Sequence, residues 1–522
     1  MVLATKDRTN GSRAPGMPED RDRKPTIDDI MTLFTEGQSY FQPFYAQCKK
    51  EEDYYMGRRQ IPVPKNIDPV WPATSTAIVN VATDHVDVNN LSIDVPAGPR
   101  ARARAERIKK FYQGVWLSIK KPILRSAVRH SFLYGIGWIK TMFDADRWPN
   151  APIYEDFNSD EDYKSALKDF MEKRSLSFPF EVEVVNPRNL IWDDSRTRAK
   201  WAIEFTDRNV DDVKRRYPEW MPLTSSSNTA QWIEYWDDEW VAYIADQQFV
   251  WGPERHSYGY MPYSPIIPMM SYTFQDGPPQ ERYRGILLPI HSLLDSEARL
   301  ASQAESIVRQ MAWRTLDFSG PRAAAEDAAE NYELFGGKNV LPPGVAVGIS
   351  PTASVPPDVF QWLNIVQTWI EQATFPNVIR GVRPKGVSTG FGISVLAGMG
   401  RLVFQGVADG VRHTVEQANA HFAMLVENKL KGRVTVHART DIHNFDQSIG
   451  PDDIRGYYEN TVQVKAEAPE EREREALLAL RLHQAGVISL YEAQRRAGII
   501  NPLEEQMQIR AEMLTNSPEV LQ

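Results

Sequence analysis

Apolar positions recur at three- and four-residue spacing in two stretches near the middle of the chain. Ile290, Leu293, Leu294, Ala301, Ala304, Ile307, Val308 and Met311 mark one face of a helix predicted over 286–312. Val359, Leu363, Val366, Ile370 and Ala373 mark a second over 356–375, with Pro356 and Pro357 at its start and Pro376 at its end. At 1.5 Å per residue the first would be a rod about 40 Å long. On its polar face Asp295 precedes Arg299, and Glu305 precedes Arg309, at the i,i+4 spacing of acid-to-base pairs. The intervening 313–355 reads as a compact excursion with a short alanine-rich helix and Gly/Pro-rich strands.

The loop PNVIRGVRPKGVSTGFG (376–392) follows the second rod and contains no apolar run, only Arg380, Arg383 and Lys385 among glycines. Helical spacing then resumes through Leu396, Met399, Val403, Val407, Val411, Ala418, Phe422 and Leu425. Gly398, Gly400, Gly406 and Gly410 interrupt it and predict a bent or closely packed helix.

The N-terminal half alternates between periods. Thr26 and Asp29 predict a capping box opening a helix that runs towards Gly57. A helix over 103–131 is predicted to bend at Pro122. SFLYGIGWIKTMFD reads as a small-residue turn followed by an alternating strand, FPFEVEVVNPRNLIWDD as a second strand whose alternation ends at Asn186-Pro187, and QWIEYWDDEWVAYIADQQFVW as a meander whose Trp232, Trp236, Trp240 and Trp251 pack a sheet. Towards the C-terminus, RVTVHA and NTVQVKAE could pair as strands. Three polar helices follow, with a capping box at Ser489 and Glu492, Gly486 and Gly498 at helix ends, and Pro502 opening the last. The fold class is α+β.

Composition narrows the chemistry. The 522 residues contain one cysteine, Cys48, which allows no intrachain disulfide and points to a reducing cytoplasm. No apolar run is long enough to span a membrane. Residues 1–25 mix charge with Gly and Pro and are expected to be disordered, without the apolar core of a signal peptide. A net charge of −9 argues against tight DNA binding, which needs many neutralising cations. There is no G-x-x-x-x-G-K-[ST], H-E-x-x-H or G-x-S-x-G, and GFGISV lacks the last glycine of G-x-G-x-x-G. His437, Asp441 and His443 could in principle bind a metal but are expected on a solvated strand and turn. No catalytic residue, cofactor or metal is predicted.

The ordered set YYMGRRQ, FLYGIGWIK, VEVVNPRNLIWDD, YGYMPYSPIIP, the rod–excursion–rod block, STGFGISVLAGMGRL and QAGVISLYEAQRRAGIINPLEEQMQIRAE resembles a tailed bacteriophage portal protein, the head-to-tail connector. The resemblance runs from about residue 30 to nearly the end. It implies a portal fold: a mixed α/β wing over 26–285, stem helices over 286–312 and 356–375, and a small α/β clip over 313–355. A tunnel loop over 376–393, a long bent helix with wing strands over 394–465 and a helical crown over 466–522 complete it. No stretch corresponds to a long helical barrel beyond the crown.

The resemblance further implies a homo-dodecamer at one capsid vertex of the virion, assembled in the host cytoplasm. Double-stranded DNA would pass non-specifically through its channel during packaging and ejection. Arg380, Arg383 and Lys385 would face that channel, and the clip, with Glu326, Asp327, Glu330 and Tyr332, would dock the terminase large subunit and then a head–tail adaptor. Major capsid and scaffolding proteins are further implied partners. Two other readings stay open: a ring-forming adaptor or virion scaffold without DNA passage, and a nucleic-acid enzyme with unrecognised carboxylates.

Overall fold

The computed structural model describes residues 23–515 except 66, 89–90, 99–100, 120, 158, 195–198, 223–227, 269–276, 313–315, 334–338, 350–356, 377–378, 380–395, 397, 401, 431, 440–443, 465–468, 498 and 500–501. The fold is α+β, built from helices and several small antiparallel sheets. It divides into two compact units, one of Met1–Glu51, Val79–Gly285 and Val378–Gln522, the other of Glu52–Ile78 and Ile286–Asn377.

In chain order the first elements are α1 (Ile27–Tyr55), α2 (Thr74–Asp84), β1 (Ser92–Asp94), α3 (Arg102–Ser118), α4 (Ile123–Tyr134) and β2 (Gly137–Phe143). The capping box forms as read: Thr26 N–H donates to Asp29 Oδ2 at 3.0 Å, and Asp29 N–H donates to Thr26 Oγ1 at 3.2 Å. The helix read across 103–131 is instead two helices. Proline lacks the N–H that an unbroken helix would need, and Pro122 becomes the N-cap of α4.

α5 (Asp160–Leu176) and β3 (Phe180–Val185) follow, then β4 (Leu190–Trp192), β5 (Trp201–Asn209), α6 (Val210–Arg216), β6 (Thr229–Asp237), β7 (Trp240–Ala245), β8 (Gln248–Arg255) and β9 (Tyr263–Ile266). Strands β4 to β8 form a five-stranded antiparallel sheet in sequence order. Trp232 and Trp236 are buried within it, whereas Trp240 and Trp251 are half-exposed. A second sheet has the order β3–β2–β9. β2 does not alternate as predicted, because its first five residues are all buried.

The aromatic face of α1 covers β4 and β5. Phe41 lies 4.3 Å from Trp192 between ring centroids, Phe34 meets Phe205 edge-on, and Tyr45 donates to the Leu190 carbonyl. Gly37 provides the approach, since a Cβ there would fall 2.4 Å from Ile191.

The remaining elements are α7 (Pro279–Arg282), α8 (His291–Ala312), β10 (Leu316–Ser319), α9 (Arg322–Glu330), β11 (Ala346–Ile349), α10 (Pro357–Ala373) and α11 (Gln405–Asn428). They continue as β12 (Val434–Arg439), β13 (Asn444–Ile449), α12 (Pro451–Ile454), β14 (Thr461–Gln463), α13 (Pro469–Gln484), α14 (Leu490–Arg496) and α15 (Pro502–Thr515). The glycine-interrupted helix is broken by a 3₁₀ turn over Leu402–Phe404, and α11 starts after it. α11 forms the centre of its unit, with Val407, Val411, Val415, Ala418, Phe422 and Leu425 fully buried. Gly410 sits against backbone, where an added Cβ would lie 2.8 Å from the Ile267 carbonyl oxygen.

RVTVHA and NTVQVKAE do not pair with each other. β12 pairs with β13, and β14 pairs with β1, bringing Ile93 opposite Val462. Such long-range partners leave no mark on local periodicity.

Candidate interaction surfaces

The second unit is built on two helices, α8 and α10, that pack together and are joined through a small module. In that module β10 and β11 pair antiparallel, Leu316 opposite Ile349, and α9 lies between them in sequence. Segment 52–78 secures α8. Tyr54 stacks on His291 at 4.0 Å, its hydroxyl donates to both Asp295 oxygens at 3.0–3.1 Å, and Val70 N–H donates to Ser302. Arg59 lies 4.4 Å over the Tyr54 ring and donates to the Leu294 carbonyl at 2.7 Å. Burial lowers the Arg59 pKa against the opposing pull of Asp295.

These contacts correct one sequence expectation. Asp295 is engaged by Tyr54 and Arg59, and Arg299 reaches the Asp295 backbone carbonyl and the Ser296 hydroxyl instead of the Asp295 carboxylate. The Glu305–Arg309 pair forms as read, at 2.7 Å, and Arg309 also reaches Asp68.

Helix α10 has a second apolar face that the periodicity did not reveal. Val366 and Ile370 are buried, each 1% exposed, as expected of its packed side. Phe360, Trp362, Ile365 and Trp369, however, remain 50, 46, 40 and 43% exposed. Trp362, Ile365 and Trp369 fall at i, i+3 and i+7, so they share one stripe. The two indoles meet edge-on at 5.5 Å. The seven-residue spacing of two tryptophans was the available signal. It was missed because the packed stripe already satisfied the helical pattern.

The four residues assigned to the excursion divide by role. Glu326 pairs with Arg322 at 2.9 Å on the exposed side of α9. The Asp327 carboxylate accepts from the Asn331 amide at 3.1 Å, and Glu330 is exposed at the end of the helix. Tyr332 is half-buried and meets Phe318 of β10 edge-on at 5.5 Å, which makes it a support of the module. Glu326, Asp327 and Glu330 are all exposed on α9, and Tyr332 is the partly covered one of the four.

Arg380, Arg383 and Lys385 lie outside the described residues, as do Asp441 and His443. His437 is on β12, and its Nδ1 lies 2.7 Å from Asp446 Oδ1, which Arg439 also contacts. No group of three or more metal-ligating side chains gathers among the described residues.

The first unit holds a buried charge network that sequence reading did not anticipate. Lys140 of β2 donates to Glu204 of β5 at 2.8 Å and to Glu234 of β6 at 2.6 Å. Tyr263 of β9 donates to Glu204, and Arg208 donates to Glu234. Burial opposes the charge on Glu234, but Lys140, Trp232 and Arg208 outweigh it and hold the carboxyl at about 2. Lys140 is likewise opposed by burial and raised well above its ordinary value by Glu234, Tyr263 and Glu204. The pairs couple the two sheets electrostatically.

No protein-family model and no curated protein matches this chain. No helix among the described residues is long and apolar enough to cross a membrane. Two surfaces stand out in the second unit, an aromatic stripe on α10 and a small acidic module between α8 and α10 in sequence, while the first unit carries a buried ionic tie between its sheets.

Proposed function

We propose that the chain is the subunit of a ring-forming portal, the head-to-tail connector of a tailed bacteriophage, through which genome DNA is packaged and ejected. The observation that carries this reading is the aromatic stripe of α10. A monomer gains nothing by leaving two tryptophans and an isoleucine on one face in water, and tryptophan is enriched at the energetic centres of interfaces. A neighbouring copy placed by rotation would cover the stripe with a different surface of its own, the heterologous contact that closes into a ring. The ordered sequence segments supply the family, and the dodecamer follows from it.

In this reading α8 and α10 are stem helices, and the β10–α9–β11 module is the clip that docks terminase and then the adaptor through its carboxylates. The cationic loop at 376–393 contacts passing DNA. The acidic balance of the chain suits sliding, because few phosphates are held at once. The ring acts as a virion conduit without chemistry of its own. A ring-forming adaptor or scaffold without DNA passage is the second reading, favoured by the same stripe.

Negative-stain imaging of the purified chain, alone and with linear duplex DNA, tests both. Closed rings threaded by duplex are the expected result. Closed rings whose centre is too narrow for duplex would favour the adaptor, and monomers under all salt conditions would overturn both readings.

A further inference from the structure

A second candidate site, independent of the portal reading, lies in the first unit. Beside α6 a cleft of about 410 Å³ is lined by Arg208, Asp212, Arg215, Arg216, Tyr217 and Trp232. Its floor is rigid. Trp232 is only 2% exposed, with Tyr217 stacked against it at 5.9 Å and Val213 and Trp220 in the same apolar cluster.

Arg208 is held on that floor. It is paired in register with Ala230, so it is a diagonal neighbour of Trp232 on the same sheet face. Its guanidinium carbon lies 4.4 Å over the indole, and Nη2 donates to Glu234 Oε1 at 2.9 Å. The indole N–H donates to the same oxygen at 3.0 Å. One edge of the fork is thereby fixed, while the side chain stays 41% exposed towards the cleft. A guanidinium pre-ordered on a ring loses little freedom when it binds an oxyanion.

Arg215 and Arg216 stand on the last turn of α6. The helix dipole accounts for cations there, but it does not account for Arg208, which comes from β5. Arg215 pairs with Asp212 at 3.3 Å, and both are exposed, so the pairing is weak and exchangeable. Three guanidiniums therefore line the cleft with one carboxylate, Asp212, while Glu234 behind Arg208 is shared with Lys140, in a chain whose net charge is −9. Because Trp232 is covered, the cleft offers no open indole face for a flat ring. Its chemistry suits tetrahedral oxyanions, and its volume exceeds that of one phosphate.

We propose that this cleft binds linked phosphate groups, with Arg208 as the fixed fork and Arg215 and Arg216 closing over the ligand. The phosphates could come from a free polyphosphate or from a nucleic-acid backbone, and the two sources are separable. Titration calorimetry on the full chain uses pyrophosphate in one arm and a short single-stranded oligonucleotide in the other, with poly-glutamate as the carboxylate control. Saturable binding in either phosphate arm is expected, and the arm that binds more tightly identifies the source. Arg215→Gln with Arg216→Gln, both at the surface, should weaken that binding at least about tenfold. Arg208→Lys keeps the charge but loses the fork and should weaken it similarly, with an unchanged circular dichroism spectrum. Absence of saturable binding in both phosphate arms would overturn the proposal. So would equal binding of poly-glutamate, or parental affinity in the Arg215/Arg216 double variant.

Discussion

Replacing Trp362 and Trp369 together by alanine should dissolve the assembly while leaving the subunit folded. A tryptophan buries up to roughly 250 Å². With the two residues 46 and 43% exposed, roughly 110 Å² per residue is left for a neighbour to cover. At about 25 cal/mol per Å², covering both contributes about 5 kcal/mol per interface, most of which alanine forfeits. The general cost of association is common to parent and variant and cancels in the comparison. A loss of about 4 kcal/mol weakens each contact about a thousandfold. Within the subunit the covered parts of both indoles and their edge-on contact are lost as well, so unfolding free energy should fall by a few kcal/mol, a loss that denaturation reads separately from assembly. Mass photometry across a dilution series reads the assembly, and urea denaturation at a concentration where both are monomeric reads the fold. A variant that assembles over the same concentration range as its parent would refute the reasoning.

Reversing the loop with Arg383→Glu and Lys385→Glu should leave assembly unchanged and impair late packaging or retention of DNA, more at low salt than at high; a packaging assay at two ionic strengths checks this. Glu326→Lys with Glu330→Lys should preserve rings but block motor or adaptor docking, read by pull-down and by filled-capsid yield. Lys140→Met should cost about 3–5 kcal/mol in urea denaturation, since it removes the buried cation that Glu204 and Glu234 share and leaves Glu204 with the Tyr263 hydroxyl and Glu234 with Arg208 and the Trp232 indole. In the parent the depressed Glu234 contributes stability that is complete above its ordinary value of 4.5 and is lost as pH falls through about 2. The raised Lys140 contributes below its ordinary 10.5 and loses that contribution as pH climbs through its higher folded value. The gap between parent and variant should therefore be widest between those ordinary values and narrow in acid, where the two carboxyls protonate. Gly410→Ala should lower the melting temperature despite a gain in helix propensity of up to about 1 kcal/mol, because the new methyl meets the Ile267 backbone.

Local signals were legible wherever the physics is local. The Thr26–Asp29 cap, the helices at His291–Ala312 and Pro357–Ala373, and the meander of β6, β7 and β8 all follow from spacing and boundary residues. Pro122 was located but its effect was underread, since a bend and a break look alike in a periodic pattern. The union of β1 with β14 crosses most of the chain, and no residue in either three-residue strand advertises its partner. The arginine cleft was hidden for the same reason. Arg208 and Trp232 become neighbours only once the β5–β6 register sets them side by side, and Arg216 joins them from α6. Lys140 was obscured by its setting in an apolar strand, where its counter-charges come from another sheet.

That ionic tie has a mechanical consequence. Apolar surfaces can slide across one another with little change in energy, because their attraction has no direction. The bonds from Lys140 to Glu204 and Glu234 hold only over a few tenths of an ångström and at favourable angles. A load that shears the three-stranded sheet past its five-stranded neighbour would meet stiff resistance and then sudden failure, with no gradual creep between. Such a fastening keeps its geometry up to a threshold force instead of deforming in proportion to it.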